Sequence, residues 1–277
     1  MTKDIYWIYD IPTWQLGTAI ICIYLFISLS GLLLLRGWIY RTFDVSAETN
    51  EMTNGIFSGV GVLYGLLVGL VAVAGWENFN NVDDLVSKEA AATGAFYRDI
   101  SALKDPERSH LQSHIRHYLD DIIHVAWPLH QKGIGDPEGG KTLSKIHSEL
   151  THYETSPGAD QALFQEALAA FNRLSEARRM RLGEVTTGIP SVFWVVIITG
   201  AILNLPLLYL FHTTRLRTHI VATTTYALFM GSMLFLLVAV DHPLRGEVSI
   251  PPDAYQEILD NLENMHPHYP AEKPQTR

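Results

Sequence analysis

Five side chains recur along one stretch of this chain: His110, His114, His117, Asp121 and His124, in steps of four and three residues. On an α-helix that spacing stacks them along one edge, roughly 120° from the centre of the apolar face. Imidazoles four residues apart can share a metal ion, and clustered histidines titrate near physiological pH, so this edge is a candidate for pH or metal sensing. The alternative is a solvated or inter-subunit polar edge. Farther on, His147, Glu149 and His152 fail the metalloprotease pattern, which places His, Glu and His at relative positions 0, 1 and 4. In GDPEGGKT, the residues Gly135, Gly140, Lys141 and Thr142 satisfy the phosphate-loop pattern. A phosphate loop needs a buried strand before it, whereas the segment here follows a helical stretch and contains Pro128, and Asp136 and Glu138 would repel a polyphosphate. An ordinary helix–helix loop is expected. No nucleophile stands at a recognised spacing from a base, so no catalytic residue, no enzyme and no cofactor is expected.

The elements that must hold these residues are set by where charge is missing. Residues 16–35, 55–76, 189–211 and 220–240 contain no Asp, Glu, Lys, Arg or His. Each is close to the ~20 residues that a helix needs to cross ~30 Å of hydrocarbon. The expectation is an all-α integral membrane protein with four transmembrane helices in two hairpins and an inserted helical bundle outside the membrane. The boundaries are 1–76 for the first hairpin, 77–188 for the bundle, 189–240 for the second hairpin, and 241–277 for a partly disordered tail.

The second span has the most informative surface. At 100° per residue, Ser58, Gly61, Gly65, Gly69, Ala72 and Trp76 fall within about 80° of one another. Small residues let another backbone approach closely in lipid. The strip either packs against a helix of the same chain or surrounds an axis formed by several copies, where glycine backbone would line a narrow pore. Trp76 and Glu77 end this span, and Asp241 ends the fourth on the same side; repeated in an oligomer, such carboxylates would shape a pore mouth. The spans lack the buried acids and bases of coupled transporters, so passive permeation is the reading left. Asn204, near Pro206, reads as a helix-to-helix hydrogen bonder.

The insert reads as helical. The apolar spacing after Trp76 continues the second span into one long helix through Leu103. Asp105 and Pro106 then start a helix as cap and first residue. It ends near Trp127 and Pro128. A short helix near 142–153, a break at 156–158 and a long last helix complete the insert, and the tail carries one helix over 252–262. Net charge of -9 argues against nucleic acid, and the single Cys22 against a disulfide framework. The first residues lack the pattern of a cleaved signal peptide. Tyr6, Trp7, Tyr9 and Trp14 read as an interfacial belt. Arg36, Arg41, Arg215 and Arg217 place the short loops in the cytoplasm and the bundle outside it, against the contrary signal of Arg173, Arg178, Arg179 and Arg181.

The runs LYGLLVGLVAVAGWENF (63–79), SKEAAATGAFYRD (87–99), RHYLDDIIHVAW (116–127), RRMRLGEVTTGIPSVFW (178–194) and VDHPLRGEVSIPPDAY (240–255) together resemble the bacterial bestrophin-like four-span membrane proteins. The resemblance extends over nearly the whole chain. It implies the architecture above and, by analogy with bestrophins, which are oligomeric anion channels, a homo-oligomer that passes inorganic ions. The matching positions are Trp76, Glu77, Glu89, Asp241, Pro243, Gly246 and Glu247; at Leu244 the family commonly has an aromatic. Asp241 to Glu247 is expected to form a turn that braces the end of the fourth span. The expected function is an oligomeric, channel-like ion-permeation pathway in the cell membrane, partnered by the lipid bilayer and by copies of itself; the rival is a membrane-anchored signalling or scaffold protein without a pore.

Overall fold

The structure is a computed structural model that describes residues 3–135 and 138–264, with side chains described for 7–135 and 138–262. The expected disorder after Met265 lies outside the described residues, as does Asp136. Among the described residues the fold is all-helical: a 3₁₀ segment at Lys3–Asp10, then α1 (Thr13–Thr42), α2 (Thr49–Ile100), α3 (Glu107–Asp121), a π-helical turn (Ile122–Ala126), α4 (Trp127–His130), α5 (Glu138–His152), α6 (Ala159–Gly183), α7 (Ser191–Tyr209), α8 (Leu216–Asp241) and α9 (Asp253–Asn264). The chain divides into two compact units, one of residues 1–79 and 188–248, the other of 80–187 and 249–277.

The first unit holds the four helices that are long and apolar enough to span a membrane: α1, the first part of α2, α7 and α8. Their outward faces stay apolar, with Phe26 74% and Leu34 79% exposed, a surface that lipid accommodates and water does not. Inside, tyrosines reach across helices to backbone carbonyls: Tyr24 to Ala201 at 2.9 Å, Tyr64 to Ile197 at 2.9 Å, and Tyr209 to Ser28 at 2.7 Å. Glycines let these bulky side chains in. A Cβ at Gly31 would stand 2.5 Å from the Tyr209 hydroxyl, and one at Gly231 would stand 2.9 Å from the Ile21 Cα. Because the second obstacle is backbone, Gly231→Ala is expected to cost about 1–3 kcal/mol of stability, measured as a lowered Tm of the detergent-solubilised chain.

The two short connections meet at one end of this unit. Tyr40 donates to the Phe211 carbonyl (2.6 Å), Arg36 to that of Thr213 (2.7 Å), and Asn50 exchanges two hydrogen bonds with the His212 backbone. The 3₁₀ segment, the start of α7 and the end of α8 meet at the other end, where Tyr9, Ile189 and Asp241 are bonded together. This is the arrangement that two hairpins with even span number require.

The second unit packs α3, α5, α6, α9 and the last part of α2 around Phe96, Ile115, Leu119, Ile146, Leu174 and Leu262. α2 is continuous over its 52 residues, about 78 Å at 1.5 Å per residue. Two local expectations are corrected. α3 starts at Glu107, and Asp105 uses its carboxylate on the Ser109 hydroxyl (2.7 Å) and on Arg108, so Pro106 takes the cap position. The next helix runs two residues past Pro128, to His130, with a π turn just before the proline.

Candidate functional site

α2 presents two faces in the first unit. Thr53, Tyr64, Val68, Val71 and Gly75 are buried against the chain's own helices, and a Cβ at Gly75 would meet Val240 at 2.9 Å. About 90° round the helix lies the strip of small residues. Ser58, Gly65 and Gly69 are exposed, Gly61 and Ala72 half-buried. A Cβ added at Gly61, Gly65 or Gly69 meets nothing within 4 Å. Packing within the chain therefore does not use these glycines. That task falls to Gly17, Gly31, Gly75, Gly200 and Gly231, each seated against a side chain or backbone of another helix.

At the end of the span Trp76 is exposed and stacks on Phe79, ring centroids 5.6 Å apart, while Glu77 is exposed. Asp241 differs from Glu77. It is 2% exposed, and its two oxygens accept from the Tyr9 hydroxyl and the Ile189 amide, both at 2.6 Å. A carboxylate so occupied braces a joint; it is not a free charge facing a mouth. The turn after it folds onto the start of α1: Glu247 accepts from the Thr13 amide at 2.9 Å, and Gly246, at φ 78°, lies under the Tyr9 carbonyl. Pro243 and Leu244 are buried in that turn.

In the second unit the most concentrated chemistry surrounds Glu89. Glu89 and Arg181 are both fully buried and pair in bidentate fashion, Nε to Oε2 at 2.6 Å and Nη2 to Oε1 at 3.1 Å. Tyr118 donates to Oε1 at 2.6 Å. The third guanidinium nitrogen, Nη1, lies 3.0 Å from His130 Nδ1. Since a guanidinium only donates, that ring nitrogen accepts and the imidazole is neutral. The rings of Trp127 and Tyr255 lie 5.6 and 5.8 Å from the guanidinium carbon, each a cation–π contact. Burial works against the Arg181 charge and the Glu89 carboxylate works for it, holding its pKa above the ordinary value. Burial, reinforced by Glu89, pushes the Tyr118 hydroxyl well above its usual range, so it remains a donor. The π turn contributes here. Its one extra residue shifts the phase of the helix beyond it, and Trp127 and His130 both end in this cluster.

This cluster was not legible as a site in the sequence. Glu89 stood out through family resemblance alone, and Arg181 read as one of four cations flanking a span. Arg181 instead is consumed in the core, and Arg173 pairs with Glu166 at 3.0 Å. The histidine edge runs along α3 and into the π turn, which holds His124, but does not converge. His110, His117 and His124 are exposed; His114 pairs with Glu149 of α5 at 3.0 Å, His124 with Asp120 of its own turn, and Asp121 is half-buried. Among the described residues no three His, Cys, Asp or Glu side chains are grouped to hold a metal ion. In the phosphate-loop stretch, Gly140, Lys141 and Thr142 lie inside α5, and Lys141 is engaged by Glu138 at 2.6 Å. Asn204 does not bridge helices: its amide donates to Gly200 of its own helix.

A bestrophin-like domain model matches residues 22–255. Among solved structures the chain is similar to a bacterial bestrophin homologue from Klebsiella pneumoniae, with TM-score 0.67 and 14% identity over 91% of this chain and 99% of that one. A single-residue mutant of a bacterial bestrophin homologue from the same organism gives TM-score 0.67 and 13% identity, again over 91% and 99%. A protein described only as a membrane protein, also a point mutant, gives 0.63 and 15% over 90% of this chain and 98% of that one. At these identities the likeness is one of fold. No curated protein matches.

Proposed function

The chain belongs to the bestrophin-like family, and on that footing we propose that copies of it assemble around α2 into a passive, channel-like pathway for inorganic ions. One observation carries the proposal: in a membrane unit that seats Gly17, Gly31, Gly75, Gly200 and Gly231 against its own helices, Gly61, Gly65 and Gly69, which share one strip of α2, face open space, as do Gly37, Gly55 and Gly59 off that strip. Three glycines at four-residue spacing are costly in a helix interior, by about 1 kcal/mol each relative to alanine, and inside the chain nothing offsets that cost. Around an axis they would give close approach of neighbouring copies or a backbone-lined path. Glu77 and Trp76 would shape one mouth. Asp241 is assigned a different role from Glu77, bracing the junction of Tyr9, α7 and α8 at that end. In this reading the short connections lie in the cytoplasm and residues 80–187 form an extramembrane domain on the other side, which gates or senses through the continuous α2.

The test is electrical. Purified protein in planar bilayers is expected to show unitary currents, and Glu77→Gln to change their conductance or ion preference. Silence under every ion, pH and divalent condition, from a particle shown to be an intact oligomer, would leave the scaffold reading in possession.

A further inference from the structure

Arg36 is the first charged residue after the charge-free run 16–35. As a helix that run covers ~30 Å, so Arg36 stands where hydrocarbon ends and lipid headgroups begin. A second feature marks the same level. Trp38, exposed and edge to face with Phe43 at a centroid distance of 6.0 Å, is the type of side chain that settles at a headgroup boundary.

An arginine at that depth is ordinarily a flexible arm that reaches for water. Arg36 is instead held in place. Its guanidinium carbon lies 4.8 Å from the centroid of the Tyr40 ring, and Nη2 donates to the Thr213 carbonyl at 2.7 Å. Both supports are themselves fixed. The Tyr40 hydroxyl donates to the Phe211 carbonyl at 2.6 Å and accepts from the Thr213 amide at 3.2 Å, and its ring stacks on His212 at 5.7 Å. Asn50 of α2 holds the His212 backbone through two more hydrogen bonds, so α1, α2 and the connection after α7 are tied together at this seat.

The positive charge here is not answered within the chain. Of the five N–H donors of the guanidinium the protein engages one, and among the described residues Arg36 pairs with no carboxylate. Arg215 and Arg217, exposed and likewise without an ion pair among the described residues, follow two and four residues after the carbonyl that Arg36 holds. The carboxylates of this end, Asp44, Glu48 and Glu51, are exposed and pair with none of these arginines among the described residues. A planar guanidinium with spare donors at the level of lipid phosphates matches phosphate oxygens, which it takes in bidentate fashion. Further positive charge beside it selects a lipid whose net charge is negative. We infer that Arg36, seated on Tyr40 and Thr213, is the centre of a binding site for the phosphate of an anionic phospholipid, with Arg215 and Arg217 supplying the charge that separates it from a zwitterionic one. The site belongs to a single chain and is independent of whether ions pass along α2.

Native mass spectrometry of the full chain, in the assembly it forms in detergent, tests it with phosphatidylglycerol and phosphatidylcholine of the same acyl chains. Phosphatidylglycerol is expected to bind about tenfold more tightly. Arg36→Gln, which keeps an N–H for Thr213 and loses the charge, is expected to remove most of that preference. Arg41→Gln, an equal loss of charge at the same end but without the seat, is expected to change it far less. Equal losses in the two variants would mean a diffuse basic surface and overturn the site, as would the absence of any preference in the unaltered chain. Inorganic phosphate that displaces the lipid at equal concentration would assign the seat to free phosphate and overturn the lipid. Should Arg36→Gln fail to fold, the double change Arg215→Gln with Arg217→Gln decides, since both side chains are exposed. It is expected to lower the preference about threefold or more, and an unchanged preference overturns the proposal.

Discussion

Arg181→Ala is expected to destabilise the second unit by about 3–5 kcal/mol, because it leaves the Glu89 carboxylate buried without its counter-charge. Glu89 is fully buried, and it would lose both guanidinium bonds, at 2.6 and 3.1 Å, keeping the Tyr118 hydroxyl. The reverse change, Glu89→Gln, preserves shape but strands the guanidinium between His130, Trp127 and Tyr255, and is expected to cost a similar amount. Replacing both, Glu89→Leu with Arg181→Met, removes the two desolvated charges together. Its cost is expected to fall below the sum of the single changes by about 1–3 kcal/mol, the signature of direct coupling. Hydrogen exchange of the α2 and α6 segments, measured beside global thermal unfolding, reads the effect where it arises. Single changes costing less than about 1 kcal/mol would mean that the pair is solvated and contributes as a surface ion pair does.

Gly65→Leu and Gly69→Leu are expected to reduce unitary current by about tenfold or more while leaving the protomer folded, since an apolar side chain in a narrow path both obstructs it and favours dewetting. The contrast with the other glycines makes the experiment specific. A Cβ at Gly65 or Gly69 meets nothing within 4 Å in the protomer, whereas one at Gly31 is driven against the Tyr209 hydroxyl at 2.5 Å. Gly31→Ala should therefore harm folding, and Gly65→Leu should spare it. Planar-bilayer recording of each variant, with thermal unfolding in parallel, separates the two effects. Wild-type conductance in both leucine variants would remove the strip from the conduction path.

Much of this architecture is written in local pattern. Four charge-free runs yield four spans because hydrocarbon tolerates no unpaired charge over ~30 Å, and the apolar spacing after Trp76 carries α2 on to Ile100 because helical periodicity does not depend on the surroundings of the helix. Partnership is not written there. Arg181 and Glu89 stand 92 residues apart, and Tyr9 and Asp241 232 apart. Arg181 belongs to a run of cations of which one is taken into the core, and a π turn, invisible to a period of 3.6, sets the phase that brings His130 and Trp127 to it. The glycines divide in the same way: on one helix, Gly75 seats Val240 while Gly65 and Gly69 face open space. Composition and spacing settled that this chain is a four-span helical membrane protein, since those properties arise from transfer free energies summed along a segment. Which charge is buried, which carboxylate is occupied and which glycine is left open were decided by contacts between segments far apart in the chain, and only the assembled fold specifies those.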